Sequence, residues 1–239
     1  MKSNMMLMCR QLGLALALSV PCVYAQIPAI GICNTGLTLK TPPAECTTST
    51  LVNPINPLDG GPIVDGNWEL AEPYPSVPYT EGPPDPCTFA TAYGPAPVST
   101  PWNAWFNPDD QLSQWIEPNG GGSTPPGWYI YRIRFSVPPA YPGYPYYILE
   151  IPGQLMVDNY IAAIFLQDFV NGKSRCGVAA TFTKSTQFSD WSQFKISSLI
   201  VPSTVAHLYF VTINTFSATP LGNPTGLRVE FNKPTFTPY

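Results

Sequence analysis

A single histidine, His207, stands in the 239-residue chain, and nucleophilic catalysis by Ser or Cys usually wants an imidazole as its base. His207 lies inside the β-rich run "VAHLYFVTI", where a structural or surface role is the simpler reading. No Gly-x-Ser-x-Gly, His-Glu-x-x-His or phosphate-binding loop is present. Glycoside hydrolysis needs only two carboxylates across a cleft. Glu150, Asp158 and Glu230 lie in strand-like runs, but nothing in the sequence pairs them. The expectation is a non-enzyme with no cofactor. Zinc is disfavoured too, since Cys-x-x-Cys spacing is absent and His207 has no histidine partner. Hard oxygen ligands occur at Asp109-Asp110 ("PDDQ") and at Asp158-Asn159 ("VDNY"). They suit a structural calcium ion, or more simply a solvated turn and an Asx turn at a strand end.

The remaining chemistry is recognition. Trp102 and Trp105 fall among Pro and Asn in "STPWNAWFNP", a loop in which no strand period dictates burial. Trp128, Arg132 and Arg134 share one face of "GWYIYRIRFSV", with Tyr129, Tyr131, Ile133 and Phe135 on the other. Those five residues form the tentative ligand-binding set. An exposed indole stacks on the C–H face of a sugar, and guanidinium groups donate hydrogen bonds to its hydroxyls. The same features would also serve contact with another copy of the chain. Trp68 and Trp115, which lie within or beside strand patterns, are expected to fill the core.

The N-terminus sets the compartment in which such recognition would operate. Lys2 and Arg10 flank an apolar stretch, "LGLALALSV", followed by small residues up to Ala25. This is the pattern of a secretory leader cleaved after Ala25. The apolar run is shorter than the roughly 20 residues that span a bilayer, and no later stretch is longer. Loss of Lys2 and Arg10 takes the formal charge from −4 to about −6, which argues against nucleic acid as a partner. Charged residues make up only 11% of the chain, against about 25% in ordinary soluble domains. That balance leaves uncharged polar surface suited to sugars or to lateral packing. Beyond the leader lie Cys33, Cys46, Cys87 and Cys176, an even set that reads as two disulfides in an exported chain. Of the three pairings, Cys33–Cys46 with Cys87–Cys176 is preferred, because the first closes a short local loop.

These residues must be positioned by strands. The 30 prolines cluster in "NPINPLDGGP", "EPYPSVPYTEGPPDP", "YGPAPVSTP" and "VPPAYPGYP", and proline neither donates to a sheet ladder nor continues a helix. Between the clusters the period is two. Leu227, Val229 and Phe231 point one way in "GLRVEFN", with Arg228, Glu230 and Asn232 pointing the other way. "YYILEI", "IAAIFL", "VAATFT", "FKISSLI" and "HLYFVTI" have strand length and composition, and several lack clean alternation, as strands covered on both faces do. No run of ten or more residues carries a helical stripe. The pattern predicts an all-β sandwich or barrel.

Several motifs then occur in a familiar order: "VDGNWEL", "WNAWF…SQWIEP", "PPGWYIYRIRF", "GQLMVDNY" and "NPTGLRVEF". Together, from Val64 to Phe231, they resemble a group of bacterial secreted proteins with a galactose-binding-like jelly roll, many of which carry a PEP-CTERM sorting anchor. Here the chain ends "NKPTFTPY" with no such anchor, and Asn171-Gly172 is displaced from the group's Leu-Asn-Gly position. The resemblance implies a jelly-roll β-sandwich and marks Asp158 as the better calcium candidate. It implies no defined activity. The expected organisation is a leader over 1–25, a Pro-rich, disulfide-stapled extension over 26–62, the sandwich over 63–233 and a tail over 234–239. The extension should carry one strand near "GICNTGLTL". The function expected is secreted, non-catalytic adhesion or recognition of extracellular polysaccharide or a surface glycan. The alternative is a structural subunit of an extracellular matrix, sheath or filament.

Overall fold

A computed structural model describes residues 27–28, 32–35, 50–51, 63–72, 82–89, 92–99, 113–118, 124–182, 188–202, 205–215 and 223–239. They form two antiparallel sheets packed face to face, a β-sandwich, with a single four-residue helix, α1 (Pro86–Phe89). The strands are β1 (Ile27–Pro28), β2 (Thr50–Leu51), β3 (Ile63–Glu72), β4 (Ala92–Pro97), β5 (Gly127–Phe135), β6 (Tyr147–Asp158), β7 (Tyr160–Val170), β8 (Lys173–Thr181), β9 (Ser192–Ile200), β10 (Ala206–Asn214), β11 (Gly226–Phe231) and β12 (Thr235–Pro238).

The larger sheet runs β2-β3-β5-β10-β7-β8, with β4 also on β3. In the smaller sheet β6 is the spine. It pairs with β9 along one edge, and with β12 and then β11 along the other, while β1 pairs with β12. Alternation decides what lies between the sheets. Tyr129, Tyr131, Ile133 and Phe135 of β5 meet Leu149, Ile151, Leu155 and Val157 of β6 and Leu227 and Val229 of β11 in one core. Trp68 is fully buried there, its ring 5.1 Å from that of Phe210, and its Nε1–H donates to the Cys33 carbonyl at 2.9 Å. The Asp-x-x-Trp motif has a local cause. Asp65 Oδ1 accepts from the Asn67 and Trp68 backbone N–H groups at 2.7 and 3.2 Å, within the stretch where β3 breaks register.

Two connections fix the architecture. Asn171 and Gly172 join β7 to β8 with φ of 52° and 73°, the pair of positive values that a two-residue type I′ hairpin requires. Residues 113–118 strap the sheets together, because Ile116 bridges both Val98, beyond β4, and Leu227 of β11.

Three differences from the sequence expectations stand out. Residues 32–35 of "GICNTGLTL" are not in a strand, and the rest of that segment lies outside the described residues. Thr35 instead donates its N–H to the Val229 carbonyl at 3.1 Å and so covers the edge of β11. The segment 234–239, read as a tail, carries β12 and closes one end of the smaller sheet. Arg228 and Glu230 do leave the core face of β11 but do not reach solvent, because Ser113, Trp115 and Trp191 cover them.

Candidate functional site

The outer face of the larger sheet gathers three of the residues singled out above. On β5 the alternation that buries Tyr131 and Ile133 turns Trp128, Ile130, Arg132 and Arg134 outward. Register then sets their neighbours. Glu69, Arg132, Tyr209, Phe165 and Val178 form one cross-strand row, and Arg134, His207, Gln167 and Cys176 the next.

Arg132 is held tightly. Its Nε donates to Glu69 Oε2 at 2.7 Å, Nη2 reaches the same oxygen at 2.5 Å, and its guanidinium lies 3.7 Å from the centre of the Tyr93 ring. Gln167 organises the second row. Its Nε2 donates to Ser174 Oγ at 2.8 Å, and its Oε1 accepts from the Tyr209 hydroxyl at 2.6 Å. His207 Nδ1 lies 3.1 Å from that same oxygen. An amide oxygen only accepts, so Nδ1 carries the proton, and Nε2 is left as a hydrogen-bond acceptor. Burial first, and then the charges of Arg132 and Arg134, push His207 down to about 4. The imidazole is therefore neutral at physiological pH. Arg134 is exposed, and among the described residues no carboxylate pairs with it. The face thus presents guanidinium donors, an imidazole acceptor and aromatic rings.

Trp128 belongs to this face but is buried against Val211, with Ala162, Phe165 and Ile213 around it. Trp102 and Trp105, with Asp109 and Asp110, lie outside the described residues. Trp68 is core, as expected. Trp115 is equally buried but packs on Met156 and Trp191, on the outer side of the smaller sheet.

The Cys87–Cys176 disulfide is formed and ties α1 to β8. Cys33 is also disulfide-bonded; its expected partner, Cys46, lies outside the described residues. Asp85, Cys87 and Cys176 approach one another closely enough to share an ion, but both sulfurs are spent on the disulfide and cannot ligate as thiolates. At the far end of the sheet, Asn159 Oδ1 accepts from Thr215 N–H at 2.8 Å, Thr215 Oγ1 at 3.0 Å and Asn223 Nδ2 at 2.8 Å. Asp158 accepts from Asn159 Nδ2. Three protein donors occupy the Asn159 oxygen, so in this arrangement it offers a calcium ion nothing. The other acids are engaged as well: Glu150 with Lys195 at 2.8 Å, and Glu230 with Ser113 and Gln154 at 2.7 and 2.8 Å.

Sequence reasoning missed Glu69, Tyr93, Gln167 and Tyr209. Tyr209 was within reach, since "HLYFVTI" puts it two residues from His207 and so on the same face. Tyr93 sits in the Pro-rich "YGPAP" and carried no signal.

No family model matches the chain, and no curated protein matches it. Among solved structures, the carbohydrate-binding module TmCBM61, in complex with β-1,4-galactotriose, aligns over 72% of this chain and 88% of its own, with 8% identity and a TM-score of 0.30. At that score the likeness is too loose to bear on fold or ligand.

Proposed function

We propose that the protein acts outside the cell as a non-catalytic recognition or adhesion module for polysaccharide or a surface glycan, held on the outer face of the larger sheet. One observation carries the reading: Arg134, with no carboxylate paired to it among the described residues, lies across from a neutral His207 whose orientation Gln167 fixes. Sugar hydroxyls need donors and acceptors at set positions, and guanidinium N–H groups with an imidazole nitrogen provide both. His207, already oriented by Gln167, loses little further freedom on binding. The secretory pattern of residues 1–25 and the Cys87–Cys176 disulfide support an extracellular setting. Affinity electrophoresis on a panel of acidic and neutral polysaccharides tests the reading. Arg134→Ala should weaken retention about tenfold, the loss of one charge-assisted hydrogen bond, with unchanged melting. Equal retention of wild type and variant on every polymer would remove the face from consideration.

A structural-subunit reading draws on a different observation. Among the described residues the outer edge of β8 pairs with nothing, and Val178 on it is 55% exposed. Such an edge can accept a strand from another chain. Light scattering should then show mass rising with concentration, and Val178→Lys should suppress the rise.

A further inference from the structure

We infer that the outer face of the smaller sheet holds a second binding site, for a neutral polysaccharide chain, centred on Trp191 and Gln193. It goes beyond the reading above, uses the opposite side of the sandwich and shares no residue with it.

The placement follows from register. Gln193 of β9 lies opposite Gln154 of β6, which lies opposite Glu230 of β11. Gln193 Nε2 donates to Gln154 Oε1 at 2.8 Å, and Gln154 Nε2 donates to Glu230 Oε2 at 2.8 Å. Ser113 Oγ donates to Glu230 Oε1 at 2.7 Å and accepts from Arg228 Nε at 2.7 Å. A chain of polar groups therefore crosses all three strands, from a buried guanidinium to an exposed amide. One step along the face, Trp191 is half-buried against Trp115 and Met156, with the Arg228 guanidinium 5.2 Å from the centre of its ring.

The buried end of this chain has a structural use, since it pins residues 113–118 to the sheet. The exposed end does not. The clamp is complete at Glu230, yet the hydrogen bonds run on through Gln154 to Gln193, which is exposed and braces nothing further among the described residues. The result is a side-chain amide held by Gln154, two residues from Trp191 on the same face of the chain. The amide keeps an acceptor oxygen and a second N–H. An indole offers a flat apolar surface to the C–H face of a pyranose, and an oriented amide both donates to and accepts from its hydroxyls. Charge selects the ligand class. Arg228 is matched by Glu230 at 3.7 Å, and Lys195 by Glu150 at 2.8 Å. The two cations that the strands of this face carry are thus both matched, and neither rewards a carboxylated or sulfated chain. The larger sheet differs, because Arg134 there has no matching carboxylate among the described residues.

The test is affinity electrophoresis of the folded chain through gels containing laminarin, hydroxyethylcellulose, xylan or galactan, with intrinsic tryptophan fluorescence as a second readout. At least one of these neutral polymers should retard the wild type and shift its emission. Trp191→Ala should weaken that interaction at least tenfold, and Gln193→Ala several-fold. Arg134→Ala should keep it. Thermal melting accompanies each variant. If Trp191→Ala fails to fold, the exposed Gln193→Ala decides alone. No retardation by any of the four polymers overturns the inference, as does wild-type binding by a folded Trp191→Ala or by Gln193→Ala. Binding lost in Arg134→Ala but kept in Trp191→Ala assigns all recognition to the larger sheet and also overturns it.

Discussion

Two ionisable side chains, one half-buried and one fully buried, shape how this protein should respond to pH, in opposite directions. His207 is pushed down to about 4 from its usual 6.5, first by burial and then by Arg132 and Arg134. The unfolded chain therefore binds the extra proton between those values, and the histidine's contribution to stability, complete above pH 6.5, is lost as pH falls toward 4. Glu117 is fully buried. Its Oε1 accepts from Ser99, and its Oε2 has no partner among the described residues. Burial pushes its carboxyl up to about 7 from 4.5, outweighing the Ser99 hydrogen bond. Here the folded state holds the proton more tightly. The contribution is complete below pH 4.5 and is lost as pH rises through 7. Between pH 4.5 and 6.5 the two slopes oppose each other. Urea midpoints measured from pH 4 to 8 should separate them. Glu117→Gln should gain on the wild type above pH 7, and His207→Gln should lose less stability than the wild type on acidification. Parallel profiles for all three proteins would show that neither group is shifted.

At the scale of the element, alternation was enough to sort most side chains between the two faces of each strand. β5 is the clear case, with four residues to the core and four to the outer face, as the sequence pattern predicts. What alternation could not show is what covers an outer face. Arg228 and Glu230 alternate correctly out of the core and still end up buried, because residues 113–118 cross over them. Strand crossings impose size limits that a sequence also hides. A Cβ on Gly153 of β6 would lie 2.5 Å from Phe194 Cζ and 2.7 Å from the Glu230 carbonyl oxygen. The phenyl ring can shift but the paired backbone of β11 cannot, so Gly153→Ala should cost about 1–3 kcal/mol. Chemical denaturation should detect the loss, and an unchanged midpoint would mean that β11 yields.

At the scale of the whole molecule, the disulfide links α1, which lies on the chain between β3 and β4, to β8 at the far edge of the larger sheet. Cys87 and Cys176 are 89 residues apart in sequence, and closing a loop of that length restricts the unfolded chain substantially. Replacing both with Ser should lower stability by about 2–4 kcal/mol. The melting temperature of the double variant, compared with the wild type under non-reducing conditions, measures the effect. A change of less than a degree would mean that the sandwich holds α1 without help.

Much of this protein is legible from its residues alone: an all-β chain, strand faces set by alternation, and Trp128, Arg132 and Arg134 together on one of them. Those properties are local. They depend on composition, on a two-residue period and on the spacing of turn residues, so neighbouring positions reveal them. Which outward-facing groups meet depends on the folded chain. Arg132 finds Glu69 63 residues away, His207 finds Gln167 40 away, and Ser113 finds Glu230 117 away. Such partners are set by which strands pair and in what register. Both follow from how the two sheets close over a shared core, a property of the whole chain that no short window of sequence contains.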